Sequence, residues 1–344
     1  MTDKPATACG YDVSFGDLTS TVGVCSEQPG LGASPTPMWA PSGATVFRRT
    51  RRRDVKLVLL AAGRGVRFGG LKQLAPVGPR GEALIDYTAR DALAAGYEGV
   101  VLVVREEIRD LVASHVSARW PEDLPVDVVV QPARPGTVYA VVSATPAIDG
   151  PFTVANADDL YGSRALTAIR EHFAMVGSST PTHVLVAYQL SKTVLTDAEV
   201  RRGVCEVGGS SKLAAIREHR VRLRADGRFD ALPLTPEEGG AVLGRSARVL
   251  DPESLVSMNL WGFSPSILDH LSEAIAPFEP LGPEHEVLLP QVLGDLIDRR
   301  SVQVEVIETA SCCYGLTHRE DVALVREHLD KQDEPVGPAC EQSI

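Results

Sequence analysis

Apolar residues fall into short continuous runs separated by amphipathic stretches. VKLVLLA (55–61) is uninterrupted, as a strand buried on both faces would be. GVVLVV (99–104), VDVVV (126–130) and PFTVA (151–155) are runs of the same kind. Between them Ala83–Ala95, closing at Gly96, then Glu106–Arg119, Thr137–Thr145 and Ser163–Val176 carry helical spacing. Strand and helix alternating over 55–176 predict a doubly wound, mostly parallel sheet of Rossmann-like α/β type, with helices on both faces. Ligands of such sheets bind beyond the carboxyl ends of the strands. The loops after Val58–Ala61, Val126–Val130 and Phe152–Ala155 are therefore the places to look.

The second half is more mixed. Thr182–Gln189, Ser257–Phe263 and Val302–Ile307 read as strands, and Leu213–Arg224 as a short hairpin. Residues 225–250 read as loop. Ser264–Ala276, His285–Arg299 and Arg319–Lys331 read as helices. This mixed α+β part is expected to hold the substrate, giving two halves, 55–180 and 181–332, of one domain. Residues 1–54 are rich in Gly, Ser, Thr and Pro and carry no sustained period, so a disordered extension is expected, ending in the basic run Arg48–Arg53. Residues 333–344 are expected to be a flexible tail.

Composition narrows the function. The formal net charge of −11 argues against a basic surface for duplex nucleic acid, but not against a local pocket for an anion. No apolar window is long enough for a membrane span. The start lacks a basic segment followed by an apolar core, so no secretory signal is expected. The cysteines, Cys9, Cys25, Cys205, Cys312, Cys313 and Cys340, form no C-x-x-C pair and no zinc spacing, which points to free thiols in a cytoplasm. There are 28 Arg and six Lys, a high-GC coding bias rather than chemistry.

The candidate chemistry begins after the first run, at Leu60-Ala61-Ala62-Gly63-Arg64-Gly65-Val66-Arg67-Phe68-Gly69-Gly70-Leu71-Lys72. A glycine-rich loop directly after a buried strand brings backbone N–H groups close to phosphate oxygens. Arg64, Arg67 and Lys72 add positive charge to it. A dinucleotide loop and a plain strand-to-helix turn are the alternatives. The spacing differs from G-x-G-x-x-G, and no clean helix follows before Ala83.

LAAGRGVRFGGLK resembles the opening signature of the sugar-phosphate nucleotidyltransferases, L-A-A-G-x-G-x-R…P-K. The resemblance extends over residues 55 to about 330 through GGLKQLAPVGPRGEALIDYTARDAL, VANADDLYG, RRGVCEV and VSMNLWGFSPSIL. It departs from the usual pattern at Leu71, where Pro precedes the Lys, and in a short Gly63-to-Lys72 gap. It implies a nucleotidyltransferase fold in which a phosphate oxygen of the acceptor attacks the α-phosphate of an NTP, pyrophosphate leaves, and Mg²⁺ is required. Arg67 and Lys72 would be catalytic. Leu60, Ala61, Ala62, Gly63, Arg64 and Gly65 would bind nucleotide.

Gln131 and Gly136-Thr137 resemble the base-recognition segment. A Gln amide both donates to and accepts from a base edge, and Gly136 would let backbone approach a flat ring. Without the resemblance, a Pro/Gly turn leading into a helix is the better explanation of them. Asp158, of the pair Asp158-Asp159, matches the metal carboxylate, with Asp159 either supporting it or capping the next helix. Asp321 is available as a second ligand, but nothing selects it. Glu218 and Asn259 match acceptor-binding positions, against a surface Glu and a buried Asn with a backbone partner. Arg201-Arg202 would meet the acceptor phosphate or form a solvated loop. Trp261 reads as core, Cys312 and Cys313 as buried thiols, and His318 as a surface histidine. The partners implied are an NTP, with GTP favoured, and a sugar or cyclitol (valienol-like) 1-phosphate, as in natural-product pathways. A homo-oligomer is left open. The rival readings are a cytidylyltransferase acting on a non-sugar phosphate and a catalytically silent nucleotide-sugar sensor.

Overall fold

A computed structural model describes residues 55–65, 68–133, 135–176, 182–194, 198–234, 247–278 and 286–333. The expected extension 1–54, most of the tail, Arg67 and Cys9, Cys25 and Cys340 lie outside the described residues. No helix among those described is long and apolar enough to cross a membrane.

The first half follows the apolar pattern. Strands β1 (Lys56–Leu60), β2 (Gly99–Val104), β3 (Val126–Val130) and β4 (Phe152–Asn156) alternate with helices α1 (Leu84–Ala94), α2 (Arg109–Arg119), α3 (Thr137–Ser143) and α4 (Ser163–Val176). β1 pairs in parallel with β2 on one side and β4 on the other, and β2 pairs in parallel with β3. Every residue of β2 is buried, as its unbroken apolar run requires. Because β1 has β2 on one edge and β4 on the other, connections leave it in both directions. The crevice beyond the carboxyl ends of β1 and β4 is a topological switch point.

The second half is largely antiparallel. It contains β5 (Asp159–Leu160), β6 (His183–Gln189), β7 (Val200–Val207), β8 (Leu213–Leu223), β9 (Phe229–Pro233), β10 (Arg248–Leu250), β11 (Leu255–Phe263), β12 (Val304–Thr309) and β13 (Tyr314–Gly315). Helices α5 (Ile267–Ile275), α6 (Leu289–Asp298) and α7 (Asp321–Asp333) complete it. The main sheet runs β10-β9-β8-β7-β11-β4-β1-β2-β3, with β6 along the other edge of β11 and β12 beyond it in parallel. Two expectations need correction. Leu213–Leu223 is one strand rather than a hairpin, and the stretch read as loop contains β9 and β10. In β8 the Arg and Glu positions interrupt the apolar run as a turn would, yet they are half-buried or exposed positions of one continuous strand, in which His219 is buried.

β11 joins the two halves. One of its edges carries β7 at Val256–Ser257 and β4 at Trp261–Phe263. Between these pairings the register against β6 shifts, and Asn259 sits at φ 62°. A bulge there bends the strand and re-aims its side chains. Trp261 is fully buried and stacks on Phe263, 5.8 Å between centroids, so it is core as expected.

Candidate active site

A cleft of about 880 Å³ opens where the sheet divides. It is lined by Leu60, Ala62, Gly63, Arg64, Gly65, Lys72, Gln131, Gly136, Thr137, Asp158, Glu218 and Asn259, which are nearly all of the residues singled out from sequence. Ala61 is the exception among those described. It is buried, its N–H donates to Val103 O, and its carbonyl faces Gln73 rather than the cleft.

Gln73 is a site residue the sequence reading missed. It sits in a single 3₁₀ turn, Lys72–Leu74, and is buried. Its Nε2 donates to Ala61 O at 2.9 Å and to Gly63 O at 2.8 Å, fastening the first limb of the glycine loop. Gly65 has φ 61°, and a Cβ there would lie 2.6 Å from Gly70 O, so the loop can close only with glycine at that position. Lys72 Nζ forms an ion pair with Asp158 Oδ2, tying the loop after β1 to the end of β4.

Behind Asp158 lies a polar network. Asn156 Nδ2 donates to Asp159 Oδ2 at 2.8 Å, Asn259 Nδ2 to Asn156 Oδ1 at 3.0 Å, and Trp261 Nε1 to Asn259 Oδ1 at 2.9 Å. Tyr161, fully buried, accepts from the Asn156 N–H at 2.8 Å and donates to Met258 O at 2.9 Å. Asn259 therefore spends its amide on side chains rather than on backbone, and its strained φ is held by them. Asp159 does not cap α4. It is buried, and burial followed by the charge of Asp158 lifts its carboxyl well above the usual range. Gly315 on β13 faces it, where a Cβ would stand 2.4 Å from Asp159 Oδ1. Asp321, the first residue of α7, fastens the turn before the helix: its Oδ2 accepts the N–H groups of Thr317 and His318, each at 2.7 Å. His318 is exposed, as expected.

On the β3 side, Gln131 Nε2 donates to Gly136 O at 3.2 Å, and Thr137 Oγ1 accepts from Leu289 N at 2.7 Å. Gly136 has a different reason from the one expected. Its φ is 120°, and a Cβ would lie 2.3 Å from Val287 O and 2.5 Å from Val287 N. The approaching backbone is that of Val287, which also accepts from Val138 N at 3.2 Å. Gly136→Ala should therefore cost at least about 3 kcal/mol of stability and lower Tm, measurable by thermal melting. A melting temperature equal to wild type would show that the two segments are not so closely joined. Arg105, directly after β2, also lines this end and was not anticipated.

The opposite end is charged on both sides. Glu218 on β8 lies opposite Gly203 on β7. A Cβ at Gly203 would come 3.3 Å from Glu218 Oε1, so the glycine makes room for the carboxyl. Burial lifts the Glu218 pKa to about 7, against the pull of Arg202 and Arg201. Arg202 is not in a solvated loop: Nε donates to Thr193 Oγ1 at 3.1 Å, Nη2 to Thr193 O at 2.6 Å and Nη1 to Arg201 O at 2.7 Å. Cys313 is a buried free thiol and Cys312 a half-buried one.

No curated protein matches the sequence. Residues 57–222 match the pattern of the MobA-like NTP transferase domain. Among solved structures, the chain is similar to the inositol-1-phosphate CTP transferase from T. maritima. The identity is 17%, the TM-score 0.57, and the match covers 83% of this chain and 98% of that one. It is also similar to a UDP-glucose pyrophosphorylase complexed with UDP-glucose, at 18% identity and a TM-score of 0.55, over 81% of this chain and 100% of that one. Residues 57–222 are thus similar to the MobA-like NTP transferase domain, in a chain that shares its fold with these two nucleotidyl-transferring enzymes.

Proposed function

We propose that the protein transfers NMP from an NTP to a sugar or cyclitol 1-phosphate, releasing pyrophosphate. The observation that carries this reading is the meeting of Lys72 and Asp158, 86 positions apart, across the switch point beside a glycine-rich loop. An oxygen of the acceptor phosphate attacks the α-phosphorus in line. The bond to the bridging oxygen breaks, and that oxygen leaves with pyrophosphate. The nucleophile is already an anion, so no protein base is required.

The chain's own residues bind and orient. The loop Ala62–Gly65 offers N–H donors to the triphosphate, and Arg64, Arg67 and Lys72 supply charge. Lys72 would exchange its carboxylate partner for phosphate oxygens. Gln131, Gly136 and Thr137 would border the base, and Glu218 and Asn259 would accept from and donate to acceptor hydroxyls. Arg202, held rigidly by Thr193, adds a fixed positive charge to this end. Asp158 is the residue that would hold Mg²⁺. Among the described residues no group of three His, Cys, Asp or Glu side chains surrounds one point. A single hard carboxylate beside a phosphate loop nevertheless suits an ion that takes its remaining ligands from phosphate and water. Held there by Asp158, such an ion would supply charge neutralisation at the α-phosphate and the leaving pyrophosphate.

The finer assignment is GTP with a valienol-like cyclitol 1-phosphate. The structural neighbour named for inositol-1-phosphate supports a cyclitol acceptor. That it is named for CTP keeps cytidylyl transfer as the second reading. The unpaired thiols Cys205, Cys312 and Cys313 suit a reducing cytoplasm. The test is pyrophosphate release from each NTP with Mg²⁺ and a panel of sugar, inositol and valienol 1-phosphates. GTP with a cyclitol phosphate should be the fastest pair, and chelation should stop the release until Mg²⁺ is restored. Release that is fastest with CTP would transfer the assignment to the second reading. No release with any pair would refute the transferase assignment.

A further inference from the structure

The glycine loop is held from outside as well as within. Arg319 lies in the turn between β13 and α7. Its Nε donates to Phe68 O at 3.0 Å and its Nη2 to Gly69 O at 2.9 Å. The guanidinium also stands over the Phe68 ring, 5.7 Å from the centroid. The base of Arg319 is itself fixed. Asp321 holds the turn that carries it by accepting from the N–H groups of Thr317 and His318, and Arg326, about two turns beyond Arg319, donates to Pro76 O at 2.9 Å.

Two side chains thus take four carbonyls of one loop. Gln73 takes those of Ala61 and Gly63, and Arg319 takes those of Phe68 and Gly69. In a planar trans peptide the C=O and N–H point to opposite sides. Tying back these carbonyls therefore turns the N–H groups of Ala62, Arg64, Gly69 and Gly70 the other way. Gly69 N–H closes the loop on Gly65 O at 3.0 Å. With the Gly69 N–H spent on that closure, the N–H groups of Ala62, Arg64 and Gly70 are the ones turned away from the tied carbonyls, and donors rather than carbonyl oxygens are what a polyphosphate needs.

We propose that Arg319 is a positioning residue for the triphosphate: by holding the carbonyls of Phe68 and Gly69 it sets the glycine loop in its anion-binding form. The proposal deepens the nucleotidyl-transfer reading and rests on it. Arg319 acts through the loop backbone, since the nitrogens that hold Phe68 and Gly69 are committed to carbonyls. A lysine offers no planar fork for two neighbouring carbonyls and no flat cation to lie over the Phe68 ring.

The test compares full-length wild type, Arg319→Ala and Arg319→Lys. The first readout is hydrogen exchange of amides 63–72 without nucleotide. The second is the kinetic split between NTP and acceptor. Arg319→Ala should exchange the loop amides about tenfold faster. It should raise the NTP KM about tenfold, while kcat and the acceptor KM stay within about twofold. Arg319→Lys should fall between the two. A loop as protected in Arg319→Ala as in wild type overturns the proposal, as does an unchanged NTP KM. An equal rise in both KM values also overturns it, because it signals a general loosening. Wild-type protein that binds none of the four NTPs sinks the underlying transferase reading, a failure visible before any variant is made.

Discussion

Asp158→Ala should reduce pyrophosphate release by about 10³-fold or more at saturating NTP and acceptor. The reason is local. Asp158 ends the loop after β4, at the switch point, and is the carboxylate that Lys72 meets. With the carboxylate gone, the site has no hard oxygen ligand there, and the charge developing on the leaving pyrophosphate is left to the cations alone. Asp158→Asn should lose nearly as much turnover, because it keeps the shape but not the charge, and its fold should be preserved. Lys72→Ala should differ in kind. It leaves the metal ligand in place and removes a phosphate partner, so the NTP KM should rise along with the fall in kcat. Steady-state kinetics with a circular-dichroism check separates the two patterns. An Asp158→Asn protein retaining a tenth of wild-type turnover would remove this residue from the metal role.

The parts of this site that sequence made legible share a physical origin. Parallel strands buried on both faces are written as unbroken apolar runs, so β1 to β4 and the loops at their carboxyl ends could be located from pattern alone. Lys72 and Asp158 lie in the loops that placement singles out, whereas Gln131 and Gly136 stand out only through the family resemblance. The illegible parts are of two kinds. β7 and β8 carry polar residues on a face that lines the cleft or meets solvent, and Gly203 in mid-strand reads as a loop until Glu218 is seen to need its space. Gln73 and Arg319 act on backbone carbonyls, which have no sequence signature. Arg319 reaches Phe68 across 251 positions, so only the folded chain brings them together. Gly136 shows a third case. The sequence singles this residue out for close approach to a base, but it is the Val287 backbone that occupies the space its missing side chain leaves.

Acceptor capture should depend on pH through Glu218. Burial raises its pKa to about 7, opposed by Arg202 and Arg201. If the carboxylate accepts hydrogen bonds from acceptor hydroxyls, it must be ionised to accept with both oxygens. kcat/KM for the acceptor should then fall as pH drops through about 7. Asp159 is raised as well, by burial and by Asp158, so the wild-type acid limb should be steeper than a single ionisation gives. Glu218→Gln should lower kcat/KM for the acceptor about 100-fold at pH 8. It should also reduce the limb to the step that Asp159 leaves, while the NTP KM stays unchanged. Stability should move the opposite way. The folded protein holds the Glu218 proton up to about 7, whereas the unfolded chain releases it at an ordinary carboxylate pKa. Stability from this group is therefore full below the unfolded pKa and declines as pH rises toward 7. Glu218→Gln removes that decline, so at pH 8 the variant should melt higher than wild type while being the poorer enzyme. A variant that melts lower at pH 8, or whose acid limb is unchanged, would show that Glu218 is ionised and satisfied without the acceptor. That opposition between stability and activity is the mark of a charge buried for a ligand rather than for the fold.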